Sequence, residues 1–214
     1  MKKTRVIKVK YFAITIFVMV VLLGVLLYFN AKDTSHYVKN EIEEHDFDIS
    51  YGSEDAPIKV FFFMDYTCVH CRNFLLNTFP KVKKEYIDNG SISFNIKVMT
   101  FSNNSNILRA YKTLICLNQY GNFEELNKLL LLETEAIFSK EFDELVEDYT
   151  IRNSFFADCL LSGQSEKYLE ENMQIFIVNQ FSGTPTFIIN NRVFKGYKKF
   201  CDFSKIIEKE LRNL

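Results

Sequence analysis

Two cysteines three positions apart, in the run Phe63-Met64-Asp65-Tyr66-Thr67-Cys68-Val69-His70-Cys71-Arg72, are the residues best placed to do chemistry. The run reads as an apolar strand that breaks into a short loop and opens a helix at Cys68. Unpaired backbone N–H groups and the helix dipole favour negative charge at that position. Such surroundings lower a thiol pKa, and the thiolate is the reactive species. A C-x-x-C pair at a helix start reads as a redox dithiol that cycles through a Cys68–Cys71 disulfide. Cys68, nearest the helix end, is assigned as nucleophile. Cys71, one turn further in, is assigned as the resolving thiol that attacks a mixed disulfide. His70 adds a polar, partly cationic neighbour that favours the thiolate, while Asp65 opposes it if its carboxylate is close. The competing reading is half of a zinc site, which needs two more ligands, usually a second close-spaced pair. Cys116, Cys159 and Cys201 are widely scattered, so no metal site and no cofactor are expected.

Gly183-Thr184-Pro185-Thr186-Phe187 is a second constellation. A proline just before a strand suggests a cis bond, although most X–Pro bonds are trans. If this turn faces Cys68, the exposed backbone of Thr184 can pair with an extended substrate segment as an added strand. A plain strand-entry turn is the other reading, and the local sequence leaves both open.

The elements that must position these groups alternate between strand and helix. Ile58 to Met64 is a continuous β-branched and aromatic run, as expected for a strand buried on both faces. A helix follows from Cys68 towards Tyr86, kinked or restarted at Pro80, and stopped by Asp88-Asn89-Gly90. Ser91 to Met99 alternates polar and apolar residues, a second strand that makes a parallel βαβ unit with the first. Residues 101–172 contain no proline and read as helices: one capped by Asn106 and ending at Gly121, then Phe123–Phe138, Phe142–Ile151 and Ser154–Leu161, with Ser165–Asn179 continuing beyond. Thr186–Ile189 and Arg192–Lys195, joined at Asn190-Asn191, form a hairpin pattern, and Ser204–Leu211 a last amphipathic helix.

Charge and hydropathy divide the chain at its N-terminal end. Positions 1–10 hold five basic residues and no acid, and Tyr11 to Phe29 carry no charge. About 20 apolar residues span a hydrocarbon core of roughly 30 Å. Preceding positive charge keeps the N-terminus cytoplasmic, which places the body on the periplasmic or extracytoplasmic side of the cytoplasmic membrane. A cleaved signal peptide has a shorter apolar region and a small-x-small site, which Tyr28-Phe29-Asn30-Ala31 lacks. Export makes the compartment disulfide-permissive. Over the whole chain 26 basic residues face 27 acidic ones. With most N-terminal charge basic, the body is mildly acidic, which argues against nucleic acid as a partner. His36 and His45, in the polar stretch that follows, read as solvated surface histidines.

Gly52-x-x-Asp55-Ala56-Pro57-Ile58, Phe63-Met64-Asp65-Tyr66-x-Cys68-x-x-Cys71, Gly183-Thr184-Pro185-Thr186-Phe187-Ile188-Ile189-Asn190 and Gly196 together resemble the DsbA-like thiol:disulfide oxidoreductases. The resemblance covers roughly residues 47–214. It implies an α/β thioredoxin-like fold with an inserted all-helical subdomain, here preceded by one transmembrane helix. The expected layout is a basic N-terminus at 1–10, a transmembrane helix at 11–29 and a linker at 30–46. The thioredoxin-like domain occupies 47–100 and 173–214, and the helical insert 101–172. The resemblance makes Pro185 the cis-proline beside the active site, and Thr184 and Pro185 the substrate-binding pair. It also implies exported cysteine-containing substrates and a quinone-linked re-oxidising membrane partner of the DsbB type. Two departures stand out. Val69 replaces the proline common in the oxidase motif, and Phe62 occupies the place of a buried acid beneath the second cysteine, leaving Asp65, water or substrate to relay the Cys71 proton.

Some relatives carry a disulfide in the insert, and Cys116 and Cys159 fall on separate expected helices. An oxidising compartment favours a bridge between them, whose loop of about 44 residues stabilises by about 3–4 kcal/mol; two small core thiols are the alternative. Cys201 is expected as a core thiol. The reading is a membrane-anchored dithiol oxidase. A disulfide isomerase or reductase, and a non-catalytic chaperone or copper(I)-delivery module, are the alternatives.

Overall fold

A central strand, Ile58–Met64, organises the computed structural model, which describes residues 16–24 and 36–214. Its side chains alternate between two apolar layers. Val60, Phe62 and Met64 enter one cluster, and Phe61 and Phe63 the other. With both faces covered from Val60 onward, the strand needs no polar face there, and its one charged residue, Lys59, is exposed near its start and pairs with Glu44. In chain order the strands are β1 (His36–Tyr37), β2 (Ile49–Tyr51), β3 (Ile58–Met64), β4 (Ile92–Val98), β5 (Thr186–Ile189) and β6 (Arg192–Lys195). They form one sheet in the order β1-β6-β5-β3-β4-β2. β3 and β4 are parallel, as the βαβ reading requires, with Phe62 opposite Ile96 and Met64 opposite Val98. β5 runs antiparallel to β3, placing Thr186 opposite Phe63. The start of β5 and the end of β3 therefore lie at one end of the sheet, in its middle strands. β1 and β2 were not anticipated: two and three residues are too short for a visible period, and β2 is held by its pairing with β4.

The crossover between β3 and β4 is α1 (Val69–Asn77), α2 (Phe79–Val82) and a wide turn at Lys83–Ile87, rather than one helix to Tyr86. Pro80 has no N–H to continue the first ladder and sits in the first turn of α2 instead, where none is needed. Between β4 and β5 come α3 (Ser105–Tyr120), α4 (Phe123–Leu132), a 3₁₀ segment (Thr134–Phe138), α5 (Lys140–Arg152), α6 (Ser154–Leu161) and α7 (Gln164–Val178). The cap of α3 is Asn104, not Asn106: its side chain accepts from the N–H groups of Asn106 and Ile107. Cys116 of α3 and Cys159 of α6 are joined by a disulfide of 2.02 Å. These helices share their apolar interior with the sheet: Tyr111, Leu114, Cys116 and Leu126 belong to the same buried cluster as Phe62, Phe94 and Phe187. α8 (Phe200–Leu211) closes the chain by setting Phe203 against Phe74 and Phe187, with ring centres 5.5 Å away in both cases.

Three further expectations meet the structure. Cys201, expected in the core, is an exposed thiol on the first turn of α8. The amphipathic stripe of that helix turns Phe203 and Ile207 inward, and Cys201 lies off it. His45, expected in solvent, is exposed, though one side of its ring rests 4.9 Å from Tyr168 and 5.6 Å from Phe47. The apolar span at 11–29 is described only over residues 16–24, which are helical; residues 1–15 and 25–35 lie outside the described residues. Among the described residues no helix is long and apolar enough to cross a membrane.

Candidate active site

Cys68 is the N-cap of α1, in extended conformation, and no side chain caps the helix. The turn that delivers it is closed by its own N–H, which donates to the Asp65 carbonyl at 3.0 Å. Among the N–H groups of the first turn of α1, those of His70 and Cys71 favour a charged sulfur at Cys68. At the same end of the sheet, before β5, the Thr184–Pro185 bond is cis, and the Cys68 thiol donates to the Thr184 carbonyl at 3.3 Å. Cys68 and Thr184, 116 positions apart in sequence, are thus brought together, with Pro185 next along the chain.

The two thiols differ sharply. Cys68 is partly exposed and Cys71 fully buried, and both are free. The Cys71 thiol, as hydrogen-bond donor, holds the Cys68 pKa down; burial opposes it, and Thr184 and the backbone N–H groups of Cys71 and His70 assist, leaving Cys68 at about 5. Burial pushes Cys71 far up, and the neighbouring Cys68 adds to this. One proton therefore stays on Cys71 while Cys68 ionises. The thiol can use the Thr184 carbonyl as an acceptor, but a thiolate cannot, so ionisation frees that carbonyl for another donor.

His70 contributes differently from its sequence reading. Its side chain is exposed, and the group that favours the Cys68 thiolate is its backbone N–H. Val69 is also exposed, next to the reactive sulfur. Phe62, in place of a buried acid, is wholly inside an aromatic cluster: its ring lies 4.8 Å from Phe187 and 5.1 Å from Phe74. No proton acceptor stands at that position. Asp65 is buried, and its carboxylate is already engaged. It accepts from the Thr67 N–H at 2.8 Å, the Thr67 hydroxyl at 2.7 Å and the Tyr111 hydroxyl at 2.5 Å. Tyr111 was legible only as a core position on its helix; nothing local shows that its hydroxyl meets the active-site turn. Arg72 ties α1 to the same turn through a 2.6 Å bond from Nη1 to the Tyr66 carbonyl. Among the described residues no cluster of His, Cys, Asp or Glu could hold a metal ion.

A family model described as Thioredoxin matches residues 44–209. The chain belongs to the thioredoxin family. Within it, the chain is a DsbA-like protein-disulfide oxidoreductase. It is 25% identical over 168 residues to disulfide bond formation protein D of Bacillus subtilis, covering 75% of this chain and 76% of that protein. A protein of Rickettsia conorii named as a protein-disulfide oxidoreductase is 26% identical over 181 residues, 81% of this chain but 64% of the relative. Among solved structures, alpha-DsbA1 of Wolbachia pipientis superposes with a TM-score of 0.63 at 21% identity, covering 78% of this chain and 92% of that one. Oxidised BdbD of Bacillus subtilis gives 0.59 at 21% identity, with 83% and 97% covered. At such identities the structural likeness speaks for the fold, and the thioredoxin-like α/β sheet with its helices is shared.

Proposed function

We propose that this oxidoreductase works as a dithiol oxidase that introduces disulfides into exported, cysteine-containing proteins. The observation that carries the reading is the asymmetry of the pair: Cys68 is accessible with a thiol pKa of about 5, while Cys71 is buried and held protonated. In the oxidised enzyme a substrate thiolate attacks the Cys68 sulfur. The Cys68–Cys71 bond breaks, and Cys71 leaves with the electron pair and takes up a proton. A second substrate thiolate then attacks the substrate sulfur of the mixed disulfide. Cys68 departs as thiolate, and a low-pKa thiol is a good leaving group. Two electrons have passed to the enzyme, and the substrate holds the new disulfide. Stabilising reduced Cys68 as thiolate makes the enzyme disulfide the stronger oxidant. The cis-proline turn supports substrate docking, because the Thr184 carbonyl beside Cys68 can accept from an extended segment.

The uncharged stretch at 11–29 behind five basic residues supports an anchor in the cytoplasmic membrane, with the catalytic body outside. Re-oxidation by a quinone-linked membrane partner of the DsbB type fits that placement. A reduction potential near −120 mV is expected for the Cys68–Cys71 pair, and one near −270 mV would instead mark a reductase. In the same experiment Cys71→Ser should accumulate mixed disulfides with reduced, unfolded substrate. Tight copper(I) binding without any thiol exchange would sink the enzymatic reading.

A further inference from the structure

Asp65 touches the reacting pair with its backbone, and its carboxylate is held by hydrogen bonds from Thr67, Phe101 and Tyr111. Its carbonyl accepts the Cys68 N–H at 3.0 Å, and its own N–H favours a charged Cys71 sulfur. Its buried carboxylate folds back on Thr67, closing a tight side-chain turn over Asp65-Tyr66-Thr67. Tyr111, completely buried on α3, reaches this turn from the helical region. Its hydroxyl donates to Asp65 Oδ1 at 2.5 Å and accepts the Thr67 N–H at 3.1 Å. One hydroxyl thus ties both ends of the turn.

We propose, on the reading that Cys68 and Cys71 form the redox pair, that Tyr111 is a positioning residue for the dithiol. Its hydroxyl locks the Asp65–Thr67 turn, and the turn holds Cys68 against the donors of α1 and next to Cys71. The Tyr111 hydroxyl bonds to Asp65 and Thr67, so it acts on the sulfurs through the turn. The lock matters because the Cys68 side chain, at the N-cap, makes no capping hydrogen bond of its own to the helix backbone. The N–H groups of His70 and Cys71 stabilise its charge only while the helix start stays in register with the turn. Burial and the Asp65 charge keep the phenol firmly protonated, so it remains a donor at every working pH. The charged and titratable groups around Cys68 are Cys71 and His70 on α1, Arg72 bound to the Tyr66 carbonyl, Asp65 on the turn and Tyr111 on α3.

The position offers a discrimination by sign. If Asp65 acted on Cys68 as a nearby negative charge, removing it would make the thiolate easier to form. If the Tyr111–Asp65 contact acts by position, removing either partner makes the thiolate harder to form. The test is the pH dependence of Cys68 alkylation by iodoacetamide in the reduced full-length chain, with each labelled cysteine resolved by peptide mass spectrometry. Exposed Cys201 serves as an internal reference in every sample. Tyr111→Phe and Asp65→Ala are both expected to raise the Cys68 midpoint by about one pH unit, about a tenfold loss of thiolate below the midpoint. Tyr66→Phe is the control for general loosening. It removes another buried hydroxyl bond from the same turn, the 2.7 Å bond to Asn127, without touching Asp65, and its midpoint should stay with the parent chain.

An unmoved or lowered midpoint in folded Tyr111→Phe overturns the proposal. So does an equal rise in Tyr66→Phe. If Tyr111→Phe does not fold, the sign of the Asp65→Ala change decides alone. The wild-type chain separates this from the redox reading. A low Cys68 midpoint without thiol exchange would defeat the oxidase and leave the positioning intact, whereas active exchange with no shift in Tyr111→Phe would defeat only the positioning.

Discussion

The stability of the reduced protein should depend on pH through Cys68, and the structure sets both sign and size. Folding moves this thiol from 9.0 to about 5. A folded-state pKa below the unfolded one contributes stability in full above the unfolded value and loses it as pH falls through the folded value. Taken at face value the interval corresponds to about 5.4 kcal/mol above pH 9, about 4 kcal/mol at pH 8 and under 0.5 kcal/mol at pH 5. Cys68 is only partly buried, so solvent screening reduces these figures, by roughly half on the scale of exposed charge interactions. The expected loss is then about 2 kcal/mol between pH 8 and pH 5. Urea unfolding of the reduced chain would be measured at both pH values beside Cys68→Ala, which cannot titrate at this position. The difference between the two proteins isolates the one group from every other ionisation. It should shrink by about 2 kcal/mol on acidification. A difference that stays constant, or grows towards pH 5, would refute the claim that folding stabilises the Cys68 thiolate. The oxidised chain has no free Cys68 and should show none of this dependence, which is the same free energy that drives its disulfide onto substrate.

Two predictions concern the frame around the site. Lys97 Nζ lies 3.0 and 2.8 Å from the two Asp48 oxygens, with both side chains essentially without solvent contact, and Tyr168 donates to the same carboxylate at 2.7 Å. Lys97→Met should cost about 3–5 kcal/mol in urea unfolding by stranding a buried charge, and Lys97→Met with Asp48→Asn should recover much of it; a double variant as unstable as the single would count against a charge effect. Cys116→Ala with Cys159→Ala opens a link across 43 positions. It should lower stability by about 3–4 kcal/mol on the chain-entropy model, read as a shift in urea midpoint against the parent chain.

How much could be read without coordinates depended on how local each cause was. The strand Ile58–Met64 and the helix starting beside Cys68 announce themselves through composition and period, because burial on both faces and a helix start each constrain adjacent residues. Thr184-Pro185 could be recognised by its resemblance to a family pattern, although nothing in its own five residues chose between a substrate ledge and a plain turn. Pro80 marked a break correctly and hid its form, since a proline forbids one hydrogen bond without prescribing what replaces it.

From the sequence alone came the dithiol, its place at a helix N-terminus, the parallel strand pair that flanks it, and an N-terminal apolar stretch with basic flank. Those rest on interactions between near neighbours, where residue type and spacing nearly suffice. Only the tertiary structure decided which proton stays on which sulfur, because that follows from the burial of Cys71 and from Thr184 arriving from the turn before the neighbouring strand β5. It alone turned Tyr111 from a core aromatic into the holder of the Asp65 turn, and Lys97 from a residue in an alternating strand into half of a buried ion pair. A hydroxyl or an ammonium at the end of a long side chain finds its partner through the packing of whole elements, and no local pattern carries that information.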